Sequence, residues 1–276
     1  MSMQIHRSER ADRLAGALGD LLSSPLADPF ATEIVSVPTP GVERWLSQTL
    51  SHRLGTSPGS GDGVCAGVDF PSPRRLIGAA VGAATQIDPA TDPWQPRQLV
   101  WPLLAVIDRA RGQDWAALLW AYLGSHQDQT AQRSAPERRW STARHLADLF
   151  TSYAVSRPTL IQHWLQGRDL DARGRPLSSD RVWQAELWRR LRAELATPSP
   201  TERLPDACRR LIDDPAVTDL PERLSVFGAT RLSAEHQAVL AALSVHRDVH
   251  LWLTSASPRL WQSVAERLSG SALVAG

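Results

Sequence analysis

The sequence predicts an α/β fold in which a parallel sheet is interrupted by a large all-helical insertion. Three observations predict it. Strand and helix patterns alternate over residues 1–73, helical periodicity runs almost unbroken over 74–219, and strand–helix–strand patterning returns over 220–276. The outer stretches read as two parts of one sheet domain, and the middle as an insertion between them.

Taken in order, Met3–His6 is an extended segment, and Leu14, Leu18, Leu21 and Leu22 recur at helical spacing over 11–22. After a loop rich in proline and aspartate, the β-branched run Glu33–Val37 reads as a buried strand ending at Pro38-Thr39-Pro40-Gly41. Trp45, Leu46, Thr49, Leu50 and Leu54 then mark a helix, with Trp45 expected to anchor it. The turn Pro38–Arg44 is expected at the C-terminal end of its strand, the ligand-bearing edge of a parallel sheet. Residues 55–63 (GTSPGSGDG) read as a flexible loop, because the glycines follow a helix and no Lys-Ser/Thr follows them. That loop runs into Val64–Phe70 and then Pro71-Ser72-Pro73. Helices are expected near 74–86, 97–110, 113–123, 138–154, 158–166, 179–195 and 203–213. In 179–195, Trp183, Leu187, Leu191 and Leu195 form the apolar stripe, with Arg189, Arg190, Arg192 and Glu194 largely off it. Leu224–Gly228 then reads as a strand, Ser233 as an N-cap, Val239, Leu240 and Leu243 as a helix face, and Val249–Thr254 as a further buried strand.

Composition narrows the function classes. A chain of 276 residues with 42% hydrophobic and 21% charged residues has the balance of a globular protein of one large or two ordinary domains. Basic and acidic residues nearly cancel, 30 against 29, so any contact with a polyanion is local. Every basic residue is arginine. A phosphate-binding P-loop and Schiff-base chemistry both need a lysine, so this stretch supports neither. Cys65 and Cys208 stand far apart with no second pair, which suits neither a disulfide framework nor a zinc ribbon. Met1–Arg10 is polar and no later apolar run reaches spanning length, so a cytoplasmic location is expected.

The segments VPTPGVERWL (37–46), VDFPSP (68–73), ADLF (147–150) with Tyr153 and Arg157-Pro158, VWQAELW (182–188) and the whole of 224–254 together resemble the RecC family, the γ subunit of exodeoxyribonuclease V. The Gly-x-x-x-Trp-Leu turn, the Asp-Phe-Pro-x-Pro loop and the closing VFGATRLSAEHQAVLAALSVHRDVHLWLT are the most specific pieces, and the resemblance covers nearly the whole chain. RecC proteins are much longer, so the chain is expected to be a fragment or truncated product. The resemblance implies a Rossmann-like sheet of an inactivated superfamily 1 helicase domain with a large helical insertion. It also implies a non-catalytic DNA-binding and scaffolding role, without a cofactor, beside RecB and RecD and on single- and double-stranded DNA. In the family this region guides the unwound 3′-ended strand and reads a hotspot sequence. Its tunnel residues correspond to Pro38, Pro40, Arg44, Ser72, Asp148, Leu149 and Arg157. Prolines at 38 and 40 offer no side-chain hydrogen bond to a base edge and Arg44 replaces an amide, so the sequence read differs here or hotspot reading is absent.

The alternative class is an active ATP-dependent helicase or ATPase. It needs a Gly-rich loop with Lys-Ser/Thr after the first strand and a strand ending in Asp-Glu, and neither is present. Ala234-Glu235-His236-Gln237 lacks the leading Asp, and Glu235 and His236 read as solvated helix residues. His246 and His250 have a zinc-like spacing but straddle a loop and a strand start, with no third ligand. Asp169, Asp171, Asp213 and Asp214 read as polar linker residues instead of a two-metal cluster. Basic residues interleave with an aromatic at Arg133, Arg138, Arg139, Trp140 and Arg144, and a second basic pair stands at Arg74 and Arg75. Such runs are usually solvated faces, although arginine forks and indole faces also make platforms for single strands.

Overall fold

Buried parallel strands need apolar residues on both faces, and helices long enough to return the chain must connect them. The computed structural model, which describes residues 2–28, 30–56, 63–124, 129–255, 257, 259–264 and 266 (side chains of 129–136 excepted), follows that rule. The chain runs β1 (Met3–Ser8), α1 (Ala11–Leu22), β2 (Glu33–Ser36), α2 (Pro40–Ser51), β3 (Val68–Asp69), α3 (Pro73–Thr85), α4 (Pro96–Arg109), a 3-10 turn at Asp114–Ala116, α5 (Ala117–Leu123) and α6 (Gln129–Ser156). It continues with α7 (Pro158–Leu165), α8 (Val182–Leu195), α9 (Pro200–Asp213), a 3-10 turn at Pro215–Val217, β4 (Arg223–Phe227), α10 (Ala234–Leu243) and β5 (Asp248–Thr254). Two compact units result, one of Met1–Ala80 with Arg210–Gly276 and one of Val81–Arg209.

The first unit holds a five-stranded parallel sheet in the order β1-β5-β4-β2-β3. On one face of it Val35, Val37, Phe227 and Trp252 pack with Leu14, Ala15, Leu18 and Leu22 of α1 and Leu46 and Leu50 of α2. Central β4 is buried over Leu224–Phe227, as a strand covered on both faces must be. At the opposite end of the β2–β4 pair, the Arg223 guanidinium pairs with the Glu33 carboxylate and also donates to the Leu21 and Ser24 carbonyls, at 3.2 and 2.8 Å. Both side chains of this pair are nearly buried, 12% and 13% exposed. On the edge pair, His6 Nε2 and His250 Nδ1 lie 3.0 Å apart, and His6 stacks on Trp252 with centroids 3.9 Å apart.

The second unit is helical. Its core gathers Trp94, Phe150, Ile161, Trp164, Leu187, Trp188 and Leu191, with Trp164 and Trp188 centroids 6.4 Å apart. The arginines of α8 are tied down: Arg189 to Asp169 and Glu186, Arg190 to Glu186, and Arg192 to Glu202. Asp171 accepts backbone N–H bonds from Arg173 and Arg175 and so organises a turn.

Several sequence expectations are corrected in detail. Within 64–70, to which the sequence reading gave no element, Val68–Asp69 pairs as a short strand. The helix after β2 begins at Pro40, so Pro40 and Gly41 belong to its first turn and Arg44 lies within it; proline at the first helical position has no N–H to lose. Leu46 and Leu50, fully buried, seat that helix, whereas Trp45 is 38% exposed and meets the sheet only at its edge, against Phe227. His236 is half-buried, not solvated, and its Nδ1 is buried without a partner. Asp213 is the last residue of α9, and Asp214 caps the 3-10 turn after it. The middle of the glycine-rich loop, 57–62, and the side chain of Arg133 lie outside what is described.

Removing the Arg223 side chain would strand the Glu33 carboxylate in a nearly buried site, a change that typically costs about 3–5 kcal/mol. Arg223→Ala should therefore lower stability by about 3–5 kcal/mol in urea titration, and a loss under about 1 kcal/mol, the scale of a surface pair, would show the pair to be solvated. A second expectation concerns pH. Burial holds both His6 and His250 below the ordinary imidazole value of 6.5, with Asp248 opposing and Arg223 reinforcing the shift at His250. Groups depressed in the folded state contribute stability above their unfolded pKa and lose it as pH falls, so the protein should weaken as pH drops below about 6.5. The double variant His6→Gln/His250→Gln should flatten that dependence, leaving the part owed to His236, which burial also depresses. An unchanged slope in thermal melts across pH would refute this assignment.

Candidate nucleic-acid interface

The carboxyl edge of a parallel sheet carries ligands where connections leave in opposite directions. Here β2 connects to β3 on one side and β4 to β5 on the other, so the ends of β2 and β4 flank that point. Beyond β2, Thr39 Oγ1 accepts from the Val42 N–H at 3.3 Å and caps α2, with Pro40 opening the helix. Beyond β3 the arrangement repeats: Ser72 Oγ accepts from the Arg75 N–H at 3.3 Å, and Pro73 opens α3. The Val37 N–H donates to the Pro71 carbonyl at 3.0 Å and ties the two loops together. Pro38, Pro40, Arg44 and Ser72 are all exposed there. Two helix amino ends with their partial positive charge therefore share one edge, a setting that favours phosphate oxygens. Trp45 lies beside this edge with its ring centroid 6.1 Å from that of Phe227 at the end of β4, where Gly228 takes a left-handed φ of 69° and its N–H bonds the Trp252 carbonyl.

The remaining three sequence-derived residues belong to the helical unit. Asp148 is exposed on α6, Leu149 beside it packs partly against the helical core, and Arg157 is exposed in the joint between α6 and α7. The Arg157 guanidinium carbon sits 5.6 Å from the centre of the Tyr153 ring, and the Tyr153 hydroxyl donates to Gln184 Oε1 at 3.2 Å. The ring thus presents the cation instead of neutralising it. Among the described residues neither Arg44 nor Arg157 has a carboxylate partner within ion-pair distance. The seven residues thus fall into two groups, four in the sheet unit and three in the helical unit, each with solvent access.

The zinc-like histidines serve different partners, His246 contacting the Ile212 carbonyl at 2.7 Å and His250 contacting His6. Among the described residues no group of three or more His, Cys, Asp and Glu side chains converges as a metal requires. No described helix is long and apolar enough to cross a membrane. Burial raises the Cys65 thiol, which makes it a poor nucleophile at neutral pH. The caps Thr39 and Ser72 escaped the sequence reading as caps, although Thr-Pro and Ser-Pro are recognisable N-cap and first-turn pairs. Trp101 escaped it too: it falls off the Leu99–Leu103–Val106–Ile107 stripe, and that displacement was the available signal.

A family model described as RecC, N-terminal domain, matches residues 3–273. The RecBCD enzyme subunit RecC of Mycobacterium tuberculosis (strain ATCC 25618 / H37Rv) is 46% identical over 266 residues, covering 96% of this chain and 23% of that protein. The same subunit of Mycolicibacterium smegmatis is 44% identical over 267 residues, 97% of this chain and 22% of that protein. That of Escherichia coli K12 is 24% identical over 271 residues, 96% of this chain and 22% of that protein. The chain spans under a quarter of the length of these relatives.

Proposed function

The chain belongs to the RecC family, whose N-terminal-domain model matches it almost end to end, and on that premise we propose that it is a non-catalytic DNA-binding and scaffolding part of a RecB–RecC–RecD helicase–nuclease acting in double-strand break repair and recombination in the cytoplasm. The observation that carries the reading is the match itself, continuous over 96% of the chain at 46% identity. The geometry supports it through the exposed, phosphate-compatible edge formed by the amino ends of α2 and α3. The sheet is that of an inactivated superfamily 1 helicase domain, and the helical unit is its insertion. By sequence pattern the proposed divisions are 1–73, 74–219 and 220–276, the middle one wider than the compact helical unit Val81–Arg209 itself.

In this reading the protein guides the 3′-ended strand. Arg44 and Arg157 meet phosphates, Ser72 offers a hydroxyl, Asp148 and Leu149 touch the strand from α6, and Pro38 and Pro40 supply apolar walls. Prolines cannot read a base edge through hydrogen bonds, so any hotspot recognised differs from one read by amide and hydroxyl side chains at these positions. ATP binding is not part of the role, since no lysine is available to reach the γ-phosphate.

Calorimetry with Mg-ATP should therefore give no heat of binding, and micromolar affinity would reveal a surviving nucleotide site. In an assembled RecB–RecC–RecD complex, Arg44→Ala and Arg157→Ala should change processivity or hotspot response on DNA more than ATP turnover. The two rates are compared in each variant. Parallel loss of both, or DNA processing indistinguishable from the parent, would remove these arginines from the strand path.

A further inference from the structure

Tryptophan in the helical unit is largely a core residue, with Trp94, Trp164 and Trp188 buried. Trp101 and Trp140 depart from that use. Trp101 on α4 is 68% exposed and Trp140 on α6 is 41% exposed, and their rings meet edge to face, 4.9 Å between centroids and 63° between planes. Each indole covers only part of the other, so aromatic surface remains open to water beyond what the edge-to-face contact itself uses. The core does not require Trp101, because Leu99, Val100, Leu103, Val106 and Ile107 already form the buried seam of α4.

Charge distinguishes this patch from an ordinary apolar contact face. Arg97 precedes Trp101 by one turn and Arg144 follows Trp140 by one turn; both are exposed, and neither has an ion-pair partner among the described residues. Arg139, by contrast, is neutralised by Asp108 at 2.8 Å. Glu137 lies within a turn of Trp140 and Asp148 one turn beyond Arg144, and among the described residues neither is ion-paired with Arg97 or Arg144. Open aromatic faces with cations one turn away are the parts of a single-strand stacking platform: rings take bases of any identity, and arginines take phosphates.

We infer that the Trp101–Trp140 pair, flanked by Arg97 and Arg144, is a stacking platform for the bases of a single-stranded nucleic acid. The inference rests on the nucleic-acid reading above and extends it along α6, where Trp140, Arg144 and Asp148 follow one another at four-residue steps. A strand reaching Asp148 has the platform next in line. Stacking tolerates any sequence, so the platform holds the strand without reading it.

The test uses the chain assembled with RecB and RecD and an oligodeoxythymidine carrying 5-iododeoxyuridine. Irradiation should crosslink the probe to the peptides containing Trp101 or Trp140. Trp101→Ala/Trp140→Ala should weaken oligonucleotide binding by about fivefold or more, the lower end for loss of one base–aromatic stack, and Trp101→Phe/Trp140→Phe should restore most of it. Arg97→Ala and Arg144→Ala should each lower the slope of log affinity against log salt by about 0.7, as loss of a single-strand phosphate contact does. Crosslinks elsewhere with unchanged affinity overturn the platform, and the strand-path reading survives that result if Arg44→Ala and Arg157→Ala still weaken binding. Failure of the tryptophan variants to assemble with RecB or RecD, with parent crosslinks absent from both peptides, identifies a protein interface and also overturns it.

Discussion

Strand β4 pairs with β2 on one side and β5 on the other, and β5 pairs with β1, so the sheet exists only when the two ends of the chain have met. Residues 34–36 and 224–226 lie side by side although nearly two hundred residues separate them in sequence. The Arg223–Glu33 pair stands at the mouth of that junction, and its guanidinium also gathers the carbonyls that end α1. A cation held by one carboxylate and two carbonyls is nearly saturated, which is what permits its burial. Non-local pairing of this kind has a large loop-closure entropy, offset by the strands being buried on both faces once formed.

From that junction the candidate edge follows. Because β2 and β4 are neighbours while their following strands depart in opposite directions, their carboxyl ends cannot both be covered by connecting helices, and the turn at Pro38 and the loop at Gly228 stay accessible. The Val37–Pro71 hydrogen bond then fixes the loop of Ser72 against that turn. Pro40 and Pro73 start their helices with no amide to satisfy, and Thr39 and Ser72 satisfy the next ones. The local sequence, two cap-plus-proline pairs, thus builds an anion-compatible edge without glycine-rich loops or lysine.

Most of this was legible in the residues. Element order, the parallel sheet and the helical run over the middle follow from apolar periodicity, and α1 and α7 lie within a residue of where their leucines put them. The departures have physical causes. Pro40-Gly41 reads as a turn by composition, yet proline fits the first helical position, so the helix starts there. Trp45 falls next to Leu46 in the helical pattern, but residues one apart point about 100° apart, so the leucines enter the core while Trp45 reaches only Phe227 at the end of β4. Val68–Asp69 pairs as strand and 64–67 does not, because β2 offers a partner only from Glu33 onward. For the candidate interface the residue types and their loops could be read, and the displacement of Trp101 from the apolar stripe of α4 was the local signal of its exposure, one that only the packed helices turn into an open ring beside Trp140.

Exposure also decides which arginines matter. With 30 basic and 29 acidic residues the chain has no field of its own to attract a polyanion. The structure divides the arginines instead. Arg53, Arg109, Arg139, Arg189, Arg190, Arg192, Arg203 and Arg223 are engaged by carboxylates within their own units, so each meets a phosphate only by leaving or sharing its carboxylate, at little cost for the exposed pairs and at a large one for the nearly buried Arg203 and Arg223. Arg44, Arg97, Arg144 and Arg157 have no such partner among the described residues, and each lies beside an exposed helix end, an open indole or a tyrosine face. In the proposed reading, a protein of nearly balanced charge holds a strand at a few defined points and leaves the rest of its surface indifferent to DNA, so binding would depend on how many such points an assembly brings onto one strand.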